Sequence, residues 1–366
     1  MKIVALEAVP FSVPLRRRTA FAHGSISSAD HVLVRVRTDE GIIGQAEAPA
    51  RPFTYGESQL SIVHAVQGWF SEALVGSDPF DREQARADMS WLAGNHAARG
   101  AVDMAIWDVL GKACGLSVHQ MLGGYSDHLR VAHILFAPTP EGMKEEAQEV
   151  GELFGIRTFK IKTGKDPRVD ATTMRLVRDA VGPEIELYID ANKGWTTDET
   201  LRLLPLMEEL MITMLEEPTP AAAHFDRRRL AGRSAIPIVA DESARSLEEV
   251  AAQLLDSRAH LVSIKTARTG FSESQRILGL CEGLGVGTLI GNQLDGAVGT
   301  MGSLAFGAAF RSTARHAAEL TFFHELVDDV VTSRPTIRNG VMRVPGRPGV
   351  GIDIDEDKLH HYRVDR

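Results

Sequence analysis

Apolar and polar residues follow two different periods along this chain, and the change falls near Val131. Before it, "HVLVRVRT" (His31 to Thr38) alternates apolar with polar residues, "DEG" supplies a turn and "IIGQAEA" follows, which together predict a β-hairpin. The opening "MKIVALEAVPFSVPL" reads as a first strand. Glu7 and two prolines break its apolar run, so it predicts neither a signal peptide nor a membrane span. In "AARGAVDMAIWDVLGKACG", Ala101, Met104, Ala105, Asp108 and Lys112 recur at helical spacings and Gly115 stands where a C-cap belongs.

From Val131 onward, short apolar runs alternate with longer helical stretches. The runs are "VAHILFA", "TFKIK", "ELYID", "MLEEP", "IPIVADE", "LVSIK", "VGTLIG" and "RHAAEL", eight strands separated by helices, which predict a βα barrel. Their polar ends, Lys162, Asp190, Glu216, Asp241, Lys265, Asn292 and Glu319, recur every 24 to 28 residues. One βα unit is being repeated, and in a barrel such ends converge on the C-terminal face, where active sites are built. After Glu319, "GVMRVPGRPGVGIDIDEDKLHHYRV" is rich in Gly and Pro with β-type stretches, which predicts a return to the N-terminal sheet.

The strand ends carry candidate chemistry. Asp190, Glu216 and Asp241 fall on the third, fourth and fifth strands, so three carboxylates would crowd one arc of the rim. They repel unless a positive charge sits among them, and hard oxygen ligands in that number suit Mg²⁺ or Mn²⁺. Lys162 on the second strand and Lys265 on the sixth would flank them, an arrangement suited to proton transfer beside an enediolate. In "TFKIKTG", Lys160 and Lys162 share a strand face. Either they are solvent-facing lysines on a sheet edge, or one cation depresses the pKa of the other so that it exchanges protons near neutrality.

Composition narrows the function classes. With 44% hydrophobic and 24% charged residues the chain is an ordinary globular sequence. A net charge of -9 argues against a nucleic-acid partner, and no stretch is long and apolar enough to predict a membrane partner. The basic run Arg16 to Arg18 predicts a solvated loop, with an anion-facing role as the alternative. Cys114 and Cys281 lie far apart and form no C-x-x-C pair, which fits a reducing cytoplasm. "HEL" at His324 lacks the second histidine of a zinc helix, and "GLGVGTLIG" does not keep dinucleotide-binding spacing.

Taken in order, "TFKIKTG", "YIDANKGW", "LEEP", "VADES", "SIKTARTG" and "AELTFF" resemble the enolase superfamily, in particular its muconate lactonizing enzyme (muconate cycloisomerase) subgroup. The resemblance spans the chain, from "GAVDMAIWDVLGK" to "RVPGRPGVGIDIDEDKL". It implies an α/β fold in which an α+β capping domain (1–125) covers a (β/α)7β TIM-like barrel (126–325) and a C-terminal segment (326–366) returns to the cap. It also implies that Asp190, Glu216 and Asp241 bind Mg²⁺, with Mn²⁺ as a substitute, and that Lys162 and Lys265 are the acid/base pair. Lys160 would tune Lys162, Glu319 would join the catalytic set, and Asn192 and Asp295 would support the site from behind the ligands.

Three features resemble the muconate enzymes within the subgroup: Glu319 in "AEL" in place of Asp-x-Asp, the seventh-strand "GNQLDGAVGT", and "TYGES" from Thr54 to Ser58. The departures are "HAAELTFF" on the eighth strand and a distinct first loop around His23. The activity implied is cycloisomerisation of cis,cis-muconate to muconolactone through a Mg²⁺-stabilised enediolate, as in catechol breakdown. The alternative is a racemase or epimerase of N-acylamino acids or dipeptides using the same metal and lysines. The expected partners are a small dicarboxylate substrate, its distal carboxylate bound by His23, Arg51 and Tyr55, and further copies of the chain in a homo-oligomer.

Overall fold

The computed structural model describes residues 1–21 and 24–365. Strands β1 (Ile3–Phe21), β2 (Gly24–Thr38) and β3 (Ile43–Pro49) form an antiparallel sheet in the order β1-β2-β3. The predicted hairpin is β2 and β3, in register from His31 opposite Pro49 to Arg37 opposite Ile43. The apolar helix His96–Cys114 packs on this sheet and ends at Gly115, whose left-handed φ of 68° lets the chain reverse.

Eight parallel strands follow. They are β4 (His128–Leu135), β5 (Thr158–Lys162), β6 (Glu186–Asp190), β7 (Ile212–Glu216), β8 (Ile238–Ala240), β9 (Leu261–Ile264), β10 (Gly287–Ile290) and β11 (Ala318–Glu319). β4 to β10 pair in sequence order, and β11 pairs back onto β4. Every run read as a barrel strand contributes one. Helices connect successive strands, the last being Ala297–Ala309 between β10 and β11; directly after β11 comes a 3₁₀ turn, Phe322–Glu325, and the next α-helix is Glu356–Tyr362 near the end of the chain.

Alternation decides what lies inside the barrel. Ala132, Tyr188, Met214, Val239, Leu261, Leu289 and Ala317 form one buried cluster within it. Lys160 stands opposite Tyr188 in the β5–β6 register and is 1% exposed, so it belongs to this inner layer. One step toward the mouth, Lys162 stands opposite Asp190, and Asp190 opposite Glu216. Lys160 is buried and Lys162, half-buried, faces Asp190 inside the barrel, so the reading of both as solvent-facing lysines on a sheet edge is overturned.

The segment after β11 touches both parts. β12 (Ile337–Arg338) and β13 (Val341–Arg343) form a small hairpin whose second strand pairs with β4. Bridges from Leu326 to Leu15 and from Arg363 to Phe11 then tie the segment to β1. On β1, Val9, Phe11, Val13 and Leu15 alternate into a buried cluster with Ile134, Phe136, Leu294 and Phe322, which seats the sheet on the barrel mouth.

The basic run Arg16 to Arg18 is not a loop. It lies within β1, so its side chains alternate: Arg16 and Arg18 are exposed and Arg17 turns inward. Arg17 forms ion pairs with Glu146 and, at 3.0 Å, with Glu325. Glu146 also pairs with His133 Nε2 at 3.0 Å and accepts the Phe136 and Ala137 amides at 3.0 and 2.8 Å. His133, Glu146 and Glu325 are metal-type ligands brought close together. The Glu146 oxygens are already taken, however, so the cluster is an ion-pair clamp between β1 and the barrel. Burial works against the Glu146 carboxylate, but His133, Arg17 and the Ala137 amide hold its pKa below the ordinary value.

Glu146→Ala leaves Arg17 and His133 without their shared partner. It is expected to lower the free energy of unfolding by about 3 kcal/mol or more. The measurement is urea denaturation, where the midpoint should fall at an unchanged slope; an unchanged midpoint would show that the clamp contributes nothing.

Candidate active site

Registered strands bring the predicted carboxylates together at the barrel mouth. Asp190 ends β6, Glu216 ends β7 and Asp241 lies just beyond β8; all three are at most 1% exposed. Lys162 Nζ lies 2.5 Å from Asp190 Oδ2 and 3.1 Å from Asn192 Oδ1. From the other side, Lys265 pairs with Asp241, which also receives Arg268 Nη1 at 2.9 Å. The two lysines thus approach the cluster through its two outer carboxylates.

Close backbone packing makes room for these side chains. A Cβ on Gly291 would meet Ser263 Oγ at 2.2 Å and Lys265 Cε at 2.9 Å, so only glycine lets Lys265 run past β10. Gly164, after β5, has φ 93° and packs where a Cβ would lie 2.0 Å from Ala191 O. Asn192 and Lys193 are themselves left-handed, at φ 44° and 66°. Such backbone is uncommon outside glycine, and here the Asn192 amide donating to Asp190 Oδ1 at 2.8 Å helps hold it.

Beneath the mouth, Lys160 Nζ sits 2.5 Å from Glu319 Oε1, 3.0 Å from Glu216 Oε1 and 3.5 Å from Asp190 Oδ2. Burial opposes its charge, but Glu216, Glu319 and Asp190 override that and hold its pKa well above the ordinary lysine value. Lys160 is therefore a fixed cation that binds the carboxylates together. Glu319 further accepts from Tyr188 OH at 2.8 Å and from the backbone amide of Asn292, two residues beyond β10, at 3.1 Å.

The residues fit a divalent cation. Glu216 is pushed up by burial and by the carboxylates of Asp190, Glu319 and Asp241, against the pull of Lys160. Its Oε2 is buried without a hydrogen-bond partner. An orphaned carboxylate oxygen between two further acids is what an oxygen-seeking ion would satisfy. Behind it, burial and the charges of Asp241, Asp190 and Glu217 push Glu242 up to about 7, and Asn192 Nδ2 donates to it at 2.8 Å.

Of the predicted substrate contacts, Arg51 and Tyr55 line the cavity, and His23 lies outside the described residues. Tyr55 OH receives Arg268 Nη1 at 3.1 Å and lies 3.5 Å from Lys265 Nζ, so it meets Lys265 as well as the cavity. Arg268 was missed in the sequence, although it stands three residues after Lys265 on the same helical turn. Gln293 and Glu242 also line the cavity and were not singled out.

Asp295 lies deeper, where cap and barrel meet. Glu47 on β3 accepts the Gly296 amide at 2.7 Å and pairs with His31 Nδ1 at 3.0 Å; Asp329 accepts the Ala297 amide at 2.9 Å. Three carboxylates and one imidazole thus gather at the start of the helix Ala297–Ala309. Burial and the Glu47 charge push Asp295 up to about 7 and Asp329 up to about 6. Burial disfavours the His31 cation, but Glu47 outweighs it and raises its pKa.

Comparison with known proteins places the whole chain. The family model "Mandelate racemase / muconate lactonizing enzyme, N-terminal domain" matches residues 4–123, and "Enolase C-terminal domain-like" matches residues 142–358. A muconate lactonizing enzyme from Mucobacterium Smegmatis, solved with muconolactone, superposes with a TM-score of 0.98 at 46% identity over 100% of both chains. The L-Ala-D/L-Glu epimerase of Bacillus subtilis is 31% identical over 96% of this chain and 97% of its own. The N-succinyl-L-Arg/Lys racemase of Bacillus cereus is 29% identical over 100% and 98%.

The interface cluster generates a pH dependence of stability. His31, Asp295 and Asp329 all have folded pKa values above their unfolded ones, so each binds protons more tightly in the folded state. Their contribution is complete below the unfolded values and is lost as pH rises through the folded ones, about 6 for Asp329 and about 7 for Asp295. The thermal midpoint should fall between about pH 5 and pH 8. Asp295→Asn, which fixes the neutral form, should flatten that fall; an unaltered slope would remove Asp295 from it.

Proposed function

The chain belongs to the mandelate racemase / muconate lactonizing enzyme family of the enolase superfamily, a group of isomerases, and on that premise we propose that it converts cis,cis-muconate to muconolactone. One observation carries the choice of a dianionic substrate. The cavity is lined by five cations, Arg51, Lys160, Lys162, Lys193 and Lys265, against the two acids Asp241 and Glu242. Both acids are engaged, Asp241 by Lys265 and Arg268 and Glu242 by Asn192; Lys160, Lys162 and Lys265 are likewise held by the carboxylates of the floor, so Arg51 and Lys193 are the cations that add positive charge to the outer wall. A free dipeptide brings an ammonium group that needs an acid of its own, whereas a dicarboxylate meets complementary charge.

In this reading Asp190, Glu216 and Asp241 hold Mg²⁺ or Mn²⁺, which when bound supplies positive charge beside one substrate carboxylate. Lys162 and Lys265 stand on either side of that carboxylate's α-carbon. The distal carboxylate oxygen attacks the conjugated double bond, a C–O bond forms, and the electron pair moves toward the α-carbon. Lys162 Nζ gives that carbon its proton and is reprotonated from solvent through the cavity; its side chain is 17% exposed. Lys265, locked to Asp241 and 7% exposed, stays charged and offsets the developing negative charge from the other face. Lys160 holds Glu216, Glu319 and Asp190 in place below.

The walls above the lysines are Ile26, Ile134, Phe136 and Leu294, apolar surface suited to the diene carbons. The similarity to the epimerase and the racemase supports a second reading, in which Lys162 and Lys265 exchange an α-proton of an N-acylamino acid from opposite faces.

Muconate's ultraviolet absorbance should disappear when the protein and Mg²⁺ are added. A signal that persists at high enzyme concentration rejects muconate. α-Hydrogen exchange of N-acylamino acids with D₂O in the same preparation would then favour the second reading. Lys162→Ala should remain folded and lose at least about 100-fold in turnover; wild-type rates would remove Lys162 from the proton transfer.

A further inference from the structure

The turn after β10 holds a polar side chain that neither catalysis nor the fold employs. Gln293 lines the cavity and is 3% exposed, yet neither Oε1 nor Nε2 has a hydrogen-bond partner among the described residues. Burying an amide in this state is costly, because both groups give up their hydrogen bonds to water. Nearby core positions show that the surroundings accept apolar residues, since Leu294, Ile134 and Phe136 are all buried.

The backbone on either side is held firmly. Asn292 Oδ1 accepts the amides of Leu294 and Asp295 at 2.6 and 3.2 Å, and its Nδ2 donates to Asp295 Oδ2 and Glu319 O, both at 3.2 Å. The next anchor is the Gly296 amide on Glu47. Between these anchors Leu294 is held at φ 64°, a left-handed conformation that a leucine adopts only under strain. Strain and an unsatisfied amide therefore coincide at one turn, on the wall of the cavity.

Position in the barrel says which part of a substrate would meet it. β10 stands four strands from β6 in the sheet order, so its turn faces the Asp190 side from across the mouth. Gln293 thus lines the cavity opposite Asp190, where the far end of a substrate held at Asp190, Glu216 and Asp241 would reach it.

We propose that Gln293 is the specificity-determining contact for the substrate's distal carboxylate, its Nε2 donating a hydrogen bond to one carboxylate oxygen. This rests on the dicarboxylate reading above. Oε1 then receives a water, so carboxylate and water together satisfy both atoms of the amide. The side chain thereby separates the two substrate classes that the lysines alone do not.

The test uses Gln293→Leu and Gln293→Glu in the Mg²⁺-loaded protein, with steady-state turnover of muconate and calorimetric binding of adipate, an unreactive dicarboxylate. Gln293→Leu should raise KM and weaken adipate by about tenfold, leave kcat within about threefold, and keep or raise the unfolding temperature. Gln293→Glu should weaken both further, because it sets a carboxylate against a carboxylate. A structural role would instead lower the unfolding temperature and leave adipate affinity intact, which overturns the proposal. So does a KM and adipate affinity within twofold of wild type. If the wild-type protein fails to turn over muconate, the muconate reading falls by itself, and loss of adipate affinity in Gln293→Leu still decides the role of Gln293. Tighter binding of N-succinylated amino acids than of adipate, lost in Gln293→Leu, would assign the contact to an amide and overturn the carboxylate.

Discussion

Four buried carboxylates around one buried ammonium set the conditions for everything at this barrel mouth. Asp190, Glu216, Asp241 and Glu319 are each at most 1% exposed, and Lys160 bonds three of them. Acids so placed could not all ionise without compensation, because desolvation and mutual repulsion both favour the neutral form. Lys160 compensates from inside, Lys162, Lys265 and Arg268 from the rim, and a divalent cation would complete the balance at the orphaned Glu216 Oε2. The barrel supplies the geometry at little further cost. Parallel register alone aligns Lys162, Asp190 and Glu216.

A second electrostatic layer joins the cap to this mouth. Arg17 reaches from β1 to Glu146 and Glu325, while Glu47 reaches from β3 to the start of the helix Ala297–Ala309. Both contacts end beside cavity walls. Glu146 accepts the Phe136 amide, and Glu47 accepts the amide two residues beyond Leu294. The cap therefore fixes the apolar walls, whereas the barrel fixes the charged floor.

The repeat of polar strand ends every 24 to 28 residues was enough to read the barrel and its rim from the sequence, because a βα unit has a fixed length and strand alternation fixes the facing. The roles of Lys160 and Arg17 were not legible. "TFKIKTG" shows which face Lys160 shares, but not that Glu319, far along the chain, folds back beneath it. Arg16 to Arg18 looks like a solvated run because burial of Arg17 depends on Glu146 and Glu325, and neither neighbours it in sequence. Gln293 is harder still. Its informative property is a missing partner, which exists only once the turn around it has folded.

That difference bears on why relatives with unlike substrates resemble this chain so evenly. An epimerase at 31% and a racemase at 29% identity align over nearly all of it. Relatives named for different reactions align over nearly the whole chain, so overall identity does not by itself discriminate between substrates. Discrimination falls to the few positions that meet the substrate away from the reacting carbon. There a hydrogen-bonding side chain in a dry wall is selective in a way an apolar one is not, since a mismatched ligand leaves a buried group unpaired. In the proposed function the positive wall of the cavity is what favours two carboxylates over an ammonium, and in the proposal for Gln293 its amide is what distinguishes among anions by their far end. A turn that accepts strain at Leu294 to keep that amide in the cavity is consistent with selection on binding, because packing alone would be better served by an apolar residue.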